Sequence, residues 1–350
     1  MPIAKPTKKK LHARKRPRAR NADHFETLVI GVDIGGTKVA AGIVNCATGE
    51  IHEQTRTPMA ASGSAEDGLA AVTAAIEQLL RGAAPEARKV RAIGLCAPGP
   101  LDPRTGVIIN PPNVPCWRNY PLAERVSKSY RLPVRLDNDA NAGALAETIW
   151  GAGRGYQNVF YGTIGTGIGT GIVLNGKILH GRTGAAGEGG HVSIDFRGVK
   201  CACGKRGCIE ALASGPAIAR AARAVLETQP RDSGILFALC NGNSADVTCE
   251  MVGQAFTKGD RIARDVLNQT IEYLAHWLGN IIDLLEPETI VMGGGVSTML
   301  EPFLKQISER LPGCCENQRA CEIPIVPARF GENAGIAGAA ALCREIIPKR

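Results

Sequence analysis

The chain has 350 residues, of which 44% are hydrophobic and 21% charged, a balance typical of globular proteins. This length suits one large domain or two ordinary ones. No run of 18 apolar residues occurs, so the sequence predicts no membrane-spanning helix. Twelve cysteines without a secretory signal favour a reducing, cytoplasmic location.

The net charge of +8 is concentrated at the N-terminus. Residues 1–26 contain nine Lys or Arg against Asp23 and Glu26, and the rest of the chain is nearly neutral. Almost no apolar residues occur there, which predicts a disordered basic tail. The tail is interpreted as a solvated extension or the product of a start codon placed too early. An arm that contacts nucleic acid or an acidic surface is the alternative.

Ordered structure is predicted to begin near Thr27. The stretch "TLVIGVDIGGTKVAAGIVN" indicates strand, glycine turn and strand, and "IHEQTRTPM" a third strand. Ser64 and Asp67 form a capping signal for a helix that ends near Gly82. The stretch "VRAIGLCAPGP" predicts a buried strand, and "LPVRLDNDANAGALAETIWGAG" a strand that leads directly into a helix.

The opening pattern then recurs in "NVFYGTIGTGIGTGIVLNGKIL", where Thr163 lies 130 residues after Asp33. Two similar β-meanders predict a duplicated α/β unit that forms two lobes. A long helix is expected around 263–285, then a strand in "ETIVMGGGV" and a helix at about 298–311. The last strand is "IPIVPARF", and "NAGIAGAAALCREII" forms a closing helix with small residues on one face.

Three glycine-rich stretches predict contacts with phosphate or nucleotide. In "DIGGTK" and "GTIGTGIG" the glycines expose backbone N–H groups to an anion, and the two turns occupy equivalent places in the repeat. We expect them to face each other across a cleft and bind one polyphosphate. Asp33 suits Mg²⁺, which prefers oxygen ligands. In "MGGGVS", Gly293, Gly294 and Gly295 permit close approach of adenine or ribose.

A candidate base lies where the strand in "LPVRLDNDAN" passes into a helix, because ligands bind at such junctions in open α/β folds. The carboxylate of Asp139 is expected to accept the proton of an attacking hydroxyl. A plain helix N-cap is the alternative for this residue. Asn110 and Asn113, in the proline-rich loop "NPPNVPCW", carry donors and acceptors suited to a polyol.

A metal site is predicted in "GEGGHVSIDFRGVKCACGKRGCIEALASG". His191, Cys201, Cys203 and Cys208 form a complete tetrahedral set for a structural Zn²⁺, since no position remains for a catalytic water. Four unmetallated loop residues are the alternative. A metal-tied loop would hold Glu188 and Glu210 rigid as acceptors for sugar hydroxyls, and His191 would reach a hydroxyl with its second ring nitrogen.

Together, the zinc segment, "DNDANAGALAE" and "NPPNVPCW" resemble the ROK family of sugar kinases, and within it the bacterial glucokinases. The resemblance covers nearly everything from Thr27 to the final helix. It implies an actin-like (ribonuclease H-like) ATPase fold, with a small lobe of residues 27–147 plus 334–350 and a large lobe of residues 148–333 that carries the zinc loop. It also implies a homodimer or homotetramer.

The resemblance further assigns site residues. Asp139 would be the base for the sugar 6-hydroxyl. The implied sugar contacts are Asn113, Asn138, Asp139, Glu188, His191 and Glu210, and the implied zinc ligands are His191, Cys201, Cys203 and Cys208. The implied nucleotide contacts are Asp33, Gly36, Thr37, Lys38, Thr163, Gly165, Thr166, Gly294 and Gly295.

The expected activity is transfer of the γ-phosphoryl group of ATP, with Mg²⁺, to O6 of a hexose, D-glucose first. Fructose, mannose, allose and an N-acetylated hexosamine are alternative substrates. A sugar-sensing regulator that binds DNA is a rival, although family repressors carry a winged helix that 26 residues cannot form. An actin- or chaperone-like ATPase without a sugar is a third reading. Gly189 replaces a bulky apolar residue usual in the family, which predicts a looser loop beside the sugar.

Overall fold

The computed structural model describes residues 27–83, 89–228 and 234–347. The predicted basic tail 1–26 lies outside the described residues. The strands are β1 Leu28–Ile34, β2 Lys38–Asn45, β3 Ile51–Pro58, β4 Val90–Ala97, β5 Leu101–Asp102, β6 Val107–Ile108, β7 Val134–Asn138, β8 Val159–Ile164, β9 Ile168–Leu174, β10 Lys177–Ile178, β11 Thr289–Gly293 and β12 Ile325–Pro327.

The described helices include the five predicted from the sequence, with the region 298–311 divided in two, and others that were not predicted. They are α1 Ala65–Gly82, α2 Leu122–Tyr130, α3 Asp139–Ile149, α4 Ile209–Ala213, α5 Gly215–Thr228, α6 Gly234–Leu239, α7 Cys249–Thr257, α8 Arg261–Leu285, α9 Gly295–Leu300, α10 Leu304–Arg310 and α11 Ala334–Leu342. Among the described residues, no helix combines the length and apolar character that crossing a bilayer requires.

Two five-stranded sheets have the same topology. Their strand orders are β3-β2-β1-β4-β7 and β10-β9-β8-β11-β12. In each sheet a three-stranded antiparallel meander is extended by two parallel strands. The predicted duplication is therefore confirmed, and the two glycine turns, β1–β2 and β8–β9, occupy equivalent positions.

The start of α1 follows directly from its sequence. Asp67 N–H donates to Ser64 Oγ at 3.1 Å, and Ser64 N–H donates to Asp67 Oδ2 at 2.8 Å, which completes the predicted capping box. Leu69, Val72 and Ile76 of this helix are buried in the apolar cluster that also contains the core-facing residues of β1 and β4. The helix thus covers one face of the first sheet.

The other face of the first sheet is covered by α11, which packs on β1, β4 and α3. The approach is close because glycines lie under the helix: a Cβ at Gly31 would be 2.1 Å from Ile336 O, and one at Gly94 would be 1.7 Å from Ala339 O. Where α11 meets α3, a Cβ at Gly338 would be 2.6 Å from the carbonyl carbon of Ala142. The small residues noted in the sequence therefore set the position of α3.

The second sheet is covered by α8 and its neighbouring helices. Trp277 of α8 is buried and meets Phe160 of β8 edge to face, with ring centroids 5.6 Å apart. Trp277 belongs to an apolar cluster separate from that under α1. The proposed lobe limits, 27–147 plus 334–350 against 148–333, stay a prediction.

We expect Gly94→Ala to lower the free energy of unfolding by about 1–3 kcal/mol, because its Cβ would displace α11 from the sheet. Urea unfolding followed by circular dichroism measures this change. Gly82→Ala is the control, since no atom lies within 4 Å of a Cβ there and alanine in a helix is as stable as glycine or more so. Equal stability of the two variants would contradict the packing described for α11.

Candidate active site in the cleft

The junction of β7 and α3 presents the candidate base. Asn138 is the N-cap of α3: its Oδ1 accepts from Ala140 N–H at 2.9 Å and from Asn141 N–H at 3.3 Å. The alternative reading of Asp139 as the N-cap is therefore wrong. Asp139 is the first helical residue, and its Oδ1 accepts from Ala140 N–H at 2.8 Å. Its side chain remains open to the cleft.

The surroundings of Asp139 suit a base that works near neutral pH. Desolvation by the surrounding protein raises the pKa of Asp139 to about 6. The Ala140 N–H lowers this pKa, and the negative charges of Asp33 and Glu188 raise it further. Two other predicted site carboxylates thus act on Asp139, which is ionised at neutral pH while remaining basic enough to take a proton.

Behind the base lies a buried carboxylate that the sequence analysis did not single out. Asp137 accepts from Asn138 N–H at 2.7 Å, from Asn141 Nδ2 at 3.1 Å and lies 2.6 Å from His180 Nε2. The hydrogen bond to Asp137 raises the pKa of His180. The contact joins the segment after β10 to the strand that presents Asp139. Nothing in the sequence around Asp137 indicated a contact with a histidine 43 residues away.

The first glycine turn follows β1 and lies against the asparagine loop. A Cβ at Gly36 would be 2.7 Å from Asn113 O, so only glycine permits this approach. Thr37 and Lys38 are exposed beside it. Asp33, at the end of β1, accepts from Cys96 Sγ at 3.5 Å, and burial raises its pKa.

The asparagine loop is anchored by a tryptophan. Asn110 and Asn113 are exposed, whereas Trp117 is buried and donates from Nε1 to Ala65 O at 3.1 Å. The loop is thus fixed to the start of α1, and its amide side chains remain accessible.

The second and third glycine turns adjoin each other. Gly165 N–H donates to Gly167 O at 2.9 Å, which closes the β8–β9 turn that also carries Thr163 and Thr166. Gly294 follows β11 with φ +89°, and a Cβ there would be 2.3 Å from Ile164 O. The structure therefore brings the predicted phosphate turn and the predicted nucleoside turn together.

A cavity of about 950 Å³ opens beside these two turns. It extends from Gly165, Thr166 and Gly295 to an apolar end formed by Phe256, Leu267 and Phe303. Its polar walls include Arg223, Glu250 and Gln254. The sequence analysis missed these residues because they come from α5, α7, α8 and the segment between α9 and α10, and share no local motif.

The four predicted metal ligands come together. Their ligand atoms all lie within 4.8 Å of one another, with His191 Nδ1 3.7 Å from Cys201 Sγ and Cys203 Sγ 3.6 Å from Cys208 Sγ. Tetrahedral zinc with Zn–S bonds of about 2.3 Å requires sulfur atoms about 3.8 Å apart. The donor types and their spacing therefore fit Zn²⁺.

The two carboxylates that flank this cluster differ in their contacts. Glu188 is exposed in the cleft and acts electrostatically on Asp139. Glu210 is about one-quarter exposed, and its Oε1 lies 3.9 Å from His191 Nδ1. Its Oε2 accepts from Ile168 N–H at 2.9 Å, a contact that the sequence did not indicate.

The expectation of a looser loop at Gly189 is wrong. Gly189 is buried, its N–H donates to Thr170 Oγ1 at 2.8 Å, and its carbonyl accepts from Trp277 Nε1 at 3.0 Å. A Cβ at this position would be 2.6 Å from Thr170 Oγ1. The threonine and the tryptophan hold the loop in place of a bulky side chain, and the sequence alone gave no sign of either contact.

Comparison with known proteins agrees with this geometry. A sequence model of the ROK family matches residues 29–346. The chain belongs to the ROK family. A glucokinase of Halalkalibacterium halodurans is 36% identical to this ROK protein over 90% of the chain and 94% of the relative. A xylose repressor of Caldicellulosiruptor bescii is 29% identical over 80% of the chain and 69% of the relative.

The fold of this ROK protein is that of solved family kinases. A ROK glucokinase from Streptomyces griseus, crystallised with glucose and AMPPNP, superposes with a TM-score of 0.75 at 34% identity, covering 91% of this chain and 99% of that one. The actin-like α/β architecture expected from the sequence is thereby confirmed.

Replacing one metal ligand tests the cluster. Cys203→Ser is expected to lower zinc from about one ion per chain to nearly none, because a serine hydroxyl is a poor ligand for Zn²⁺. Elemental analysis of the purified protein measures this loss, and Cys321→Ser, at an exposed cysteine outside the cluster, should keep its zinc. Zinc retained in full by the Cys203 variant would contradict the assignment.

Proposed function

We propose that this protein is an ATP-dependent hexokinase that transfers the γ-phosphoryl group to the 6-hydroxyl of a hexose, with D-glucose as the preferred substrate. The observation that carries the proposal is Asp139, an open carboxylate with a pKa of about 6 between the glycine turns and the zinc loop. The named glucokinase relatives support the same activity.

In this proposal the sugar lies between Asp139 and the acidic residues of the zinc loop. Asn113, Asn138, Glu188, His191 and Glu210 contact its hydroxyls. Because Oδ1 of Asn138 is used in capping α3, this residue offers its Nδ2 as a donor. His191 turns Nδ1 toward Cys201 and keeps Nε2 for the sugar.

The chemistry is a single in-line transfer. Asp139 accepts the proton of the 6-hydroxyl as O6 forms a bond to the γ-phosphorus, and the bond to the β–γ bridging oxygen breaks to release ADP. The carboxylate is regenerated when the proton passes to solvent. Positioning of O6 supplies much of the rate enhancement, since phosphoryl transfer depends chiefly on geometry and electrostatics.

The glycine turns would hold the nucleotide. Backbone amides and side chains of the first two turns contact the phosphates, and the third turn contacts the nucleoside, whose base enters the cavity beside it. The proposed contacts are Asp33, Gly36, Thr37, Lys38, Thr163, Gly165, Thr166, Gly294 and Gly295. Mg²⁺, held by Asp33, would neutralise phosphate charge when bound.

The zinc cluster serves structure in this proposal. His191, Cys201, Cys203 and Cys208 would hold Zn²⁺, which fixes the loop that carries Glu188 and Glu210. We place the protein in the cytoplasm, where its twelve free cysteines would remain reduced, and expect a homodimer or homotetramer by analogy with related kinases.

A regulatory role is the second candidate, because the xylose repressor matches 80% of the chain. The presence of Asp139 beside complete phosphate turns favours a kinase, since a sensor needs to bind sugar but not to transfer phosphate. Mannose, fructose, allose and N-acetylhexosamines remain alternative sugars, and polyphosphate an alternative donor. Release of ADP measured over a panel of hexoses distinguishes these substrates.

Asp139→Asn is expected to lower kcat by about 10²–10⁴-fold, since an amide cannot accept the hydroxyl proton. Sugar binding, measured by calorimetry, should change little. Asp265→Asn, on the exposed face of α8, is the control and should retain full activity. A kcat within about twofold of wild type in the Asp139 variant would exclude this residue as the base.

Activity should depend on pH through Asp139. Protonation below its pKa of about 6 removes the base, so kcat/KM for the sugar should fall about tenfold per pH unit in that range. Initial rates at saturating MgATP give the profile.

The Glu188→Gln variant distinguishes titration of Asp139 from titration of ATP as the cause of the pH profile. Because the Glu188 charge raises the pKa of Asp139, this variant should move the midpoint to lower pH, whereas a midpoint set by ATP would stay in place. An unmoved midpoint would therefore argue against Asp139 as the titrating group.

A further inference from the structure

The zinc loop contacts more than the sugar side of the cleft. Cys208 is directly followed by α4, and Glu210 in the first turn of that helix accepts the Ile168 N–H at 2.9 Å with its Oε2. Ile168 is the first residue of β9 and ends the second glycine turn. A predicted sugar ligand is therefore bonded to the backbone of a predicted phosphate turn.

A second contact reinforces the first. Gly215 N–H, at the start of α5, donates to Gly165 O at 2.9 Å. The segment from Glu210 to Gly215 thus holds both ends of the turn between Gly165 and Ile168. Since Cys208 is one of the four clustered metal ligands, the same segment is tied to the metal site.

Gly167, inside the second glycine turn, also lies close to the Glu210 carboxylate. A Cβ at Gly167 would lie 2.6 Å from Glu210 Oε2, so the position of this carboxylate oxygen depends on a glycine there. Gly167 has no positive φ, and the requirement for glycine is one of space.

The other oxygen of Glu210, Oε1, lies near His191, which is predicted to bind both metal and sugar. Oε1 lies 3.9 Å from His191 Nδ1, and the side chain is 26% exposed. The Glu210 carboxylate therefore lies between His191 and the second glycine turn, with one oxygen toward each. Because the two oxygens of a carboxylate move together, a displacement of Oε1 also displaces Oε2.

We propose that Glu210 is a positioning residue that couples the sugar subsite to the second phosphate turn, so that hexose and nucleotide bind cooperatively. A hydroxyl bound at Oε1 fixes the carboxylate, which fixes Ile168 N–H and, with it, the turn that carries Thr166. Without sugar the turn is held less firmly, and ATP is bound more weakly. This inference rests on the proposed kinase function.

The test measures nucleotide affinity with and without sugar in the full-length, zinc-loaded protein. Calorimetry with Mg²⁺ and a non-hydrolysable ATP analogue gives two Kd values, without glucose and at saturating D-glucose. For wild type we expect glucose to tighten nucleotide binding at least about fivefold, the lower range of coupling between sites. For Glu210→Ala we expect the ratio of the two Kd values to fall to about one.

Two further variants separate coupling from damage to the site. Glu210→Gln keeps a side-chain oxygen that can accept the Ile168 N–H and should retain part of the coupling. Gly167→Ala displaces Oε2 of Glu210 without substituting any zinc ligand or proposed sugar ligand, and should abolish coupling. The Gly167→Ala variant tests the proposal even if Glu210→Ala loses zinc or fails to fold.

Glu188→Ala is the matched control. It removes the other sugar-side carboxylate, for which no contact with the turn is seen among the described residues, so it should weaken sugar binding and keep the coupling ratio. Full coupling in Gly167→Ala would overturn only the role proposed for Glu210. The absence of coupling in a wild-type protein that phosphorylates glucose would do the same. Failure of wild type to phosphorylate any hexose would instead overturn the proposed function.

Discussion

The closure of the loop between His191 and Cys208 is the constraint on which the proposed site depends. Residues 192–207 include few that are buried, so apolar burial contributes little to holding this segment. The convergence of an imidazole and three thiols within 4.8 Å would let metal coordination replace the missing core, and such coordination is worth far more than a few loop hydrogen bonds. In the proposed function, this coordination fixes what the loop presents to the cleft.

The second constraint is the duplicated sheet. Each half repeats the same order of antiparallel and parallel strands, so the hairpin after β1 and the hairpin after β8 lie at corresponding edges. Close packing of α11 on Gly31 and Gly94 fixes α3, and with it Asp139, relative to the first hairpin. The proposed base is thus placed by the packing of α11 and α3, and the two predicted phosphate turns are placed by the duplicated sheet.

Local patterns in the sequence were sufficient to predict much of the fold and of the candidate site. The capping box at Ser64 and the repeated strand–turn–strand units involve residues close in the chain, and both were found in the structure as predicted. The four predicted metal ligands are also close in the chain, and their side chains lie together. The role of Asn138 as the N-cap, which leaves Asp139 open to the cleft, needed coordinates because both residues have good capping propensity.

Contacts between distant segments could not be predicted in this way. The hydrogen bond between Glu210 and Ile168, the pairing of Asp137 with His180, and the support of Gly189 by Thr170 and Trp277 depend on tertiary packing alone. The error at Gly189 shows the reason: a missing side chain predicts a loose loop only if nothing else fills the space. The walls of the large cavity were missed for the same reason.

A crystal structure of the zinc-loaded protein with D-glucose and a magnesium complex of a non-hydrolysable ATP analogue tests the central claim most directly. The account predicts anomalous scattering from zinc among His191 and the three cysteines, with O6 of the sugar within hydrogen-bonding distance of Asp139 and directed at the γ-phosphate. Glucose bound away from Asp139, or a loop ordered around Glu188 and Glu210 without metal, would contradict it.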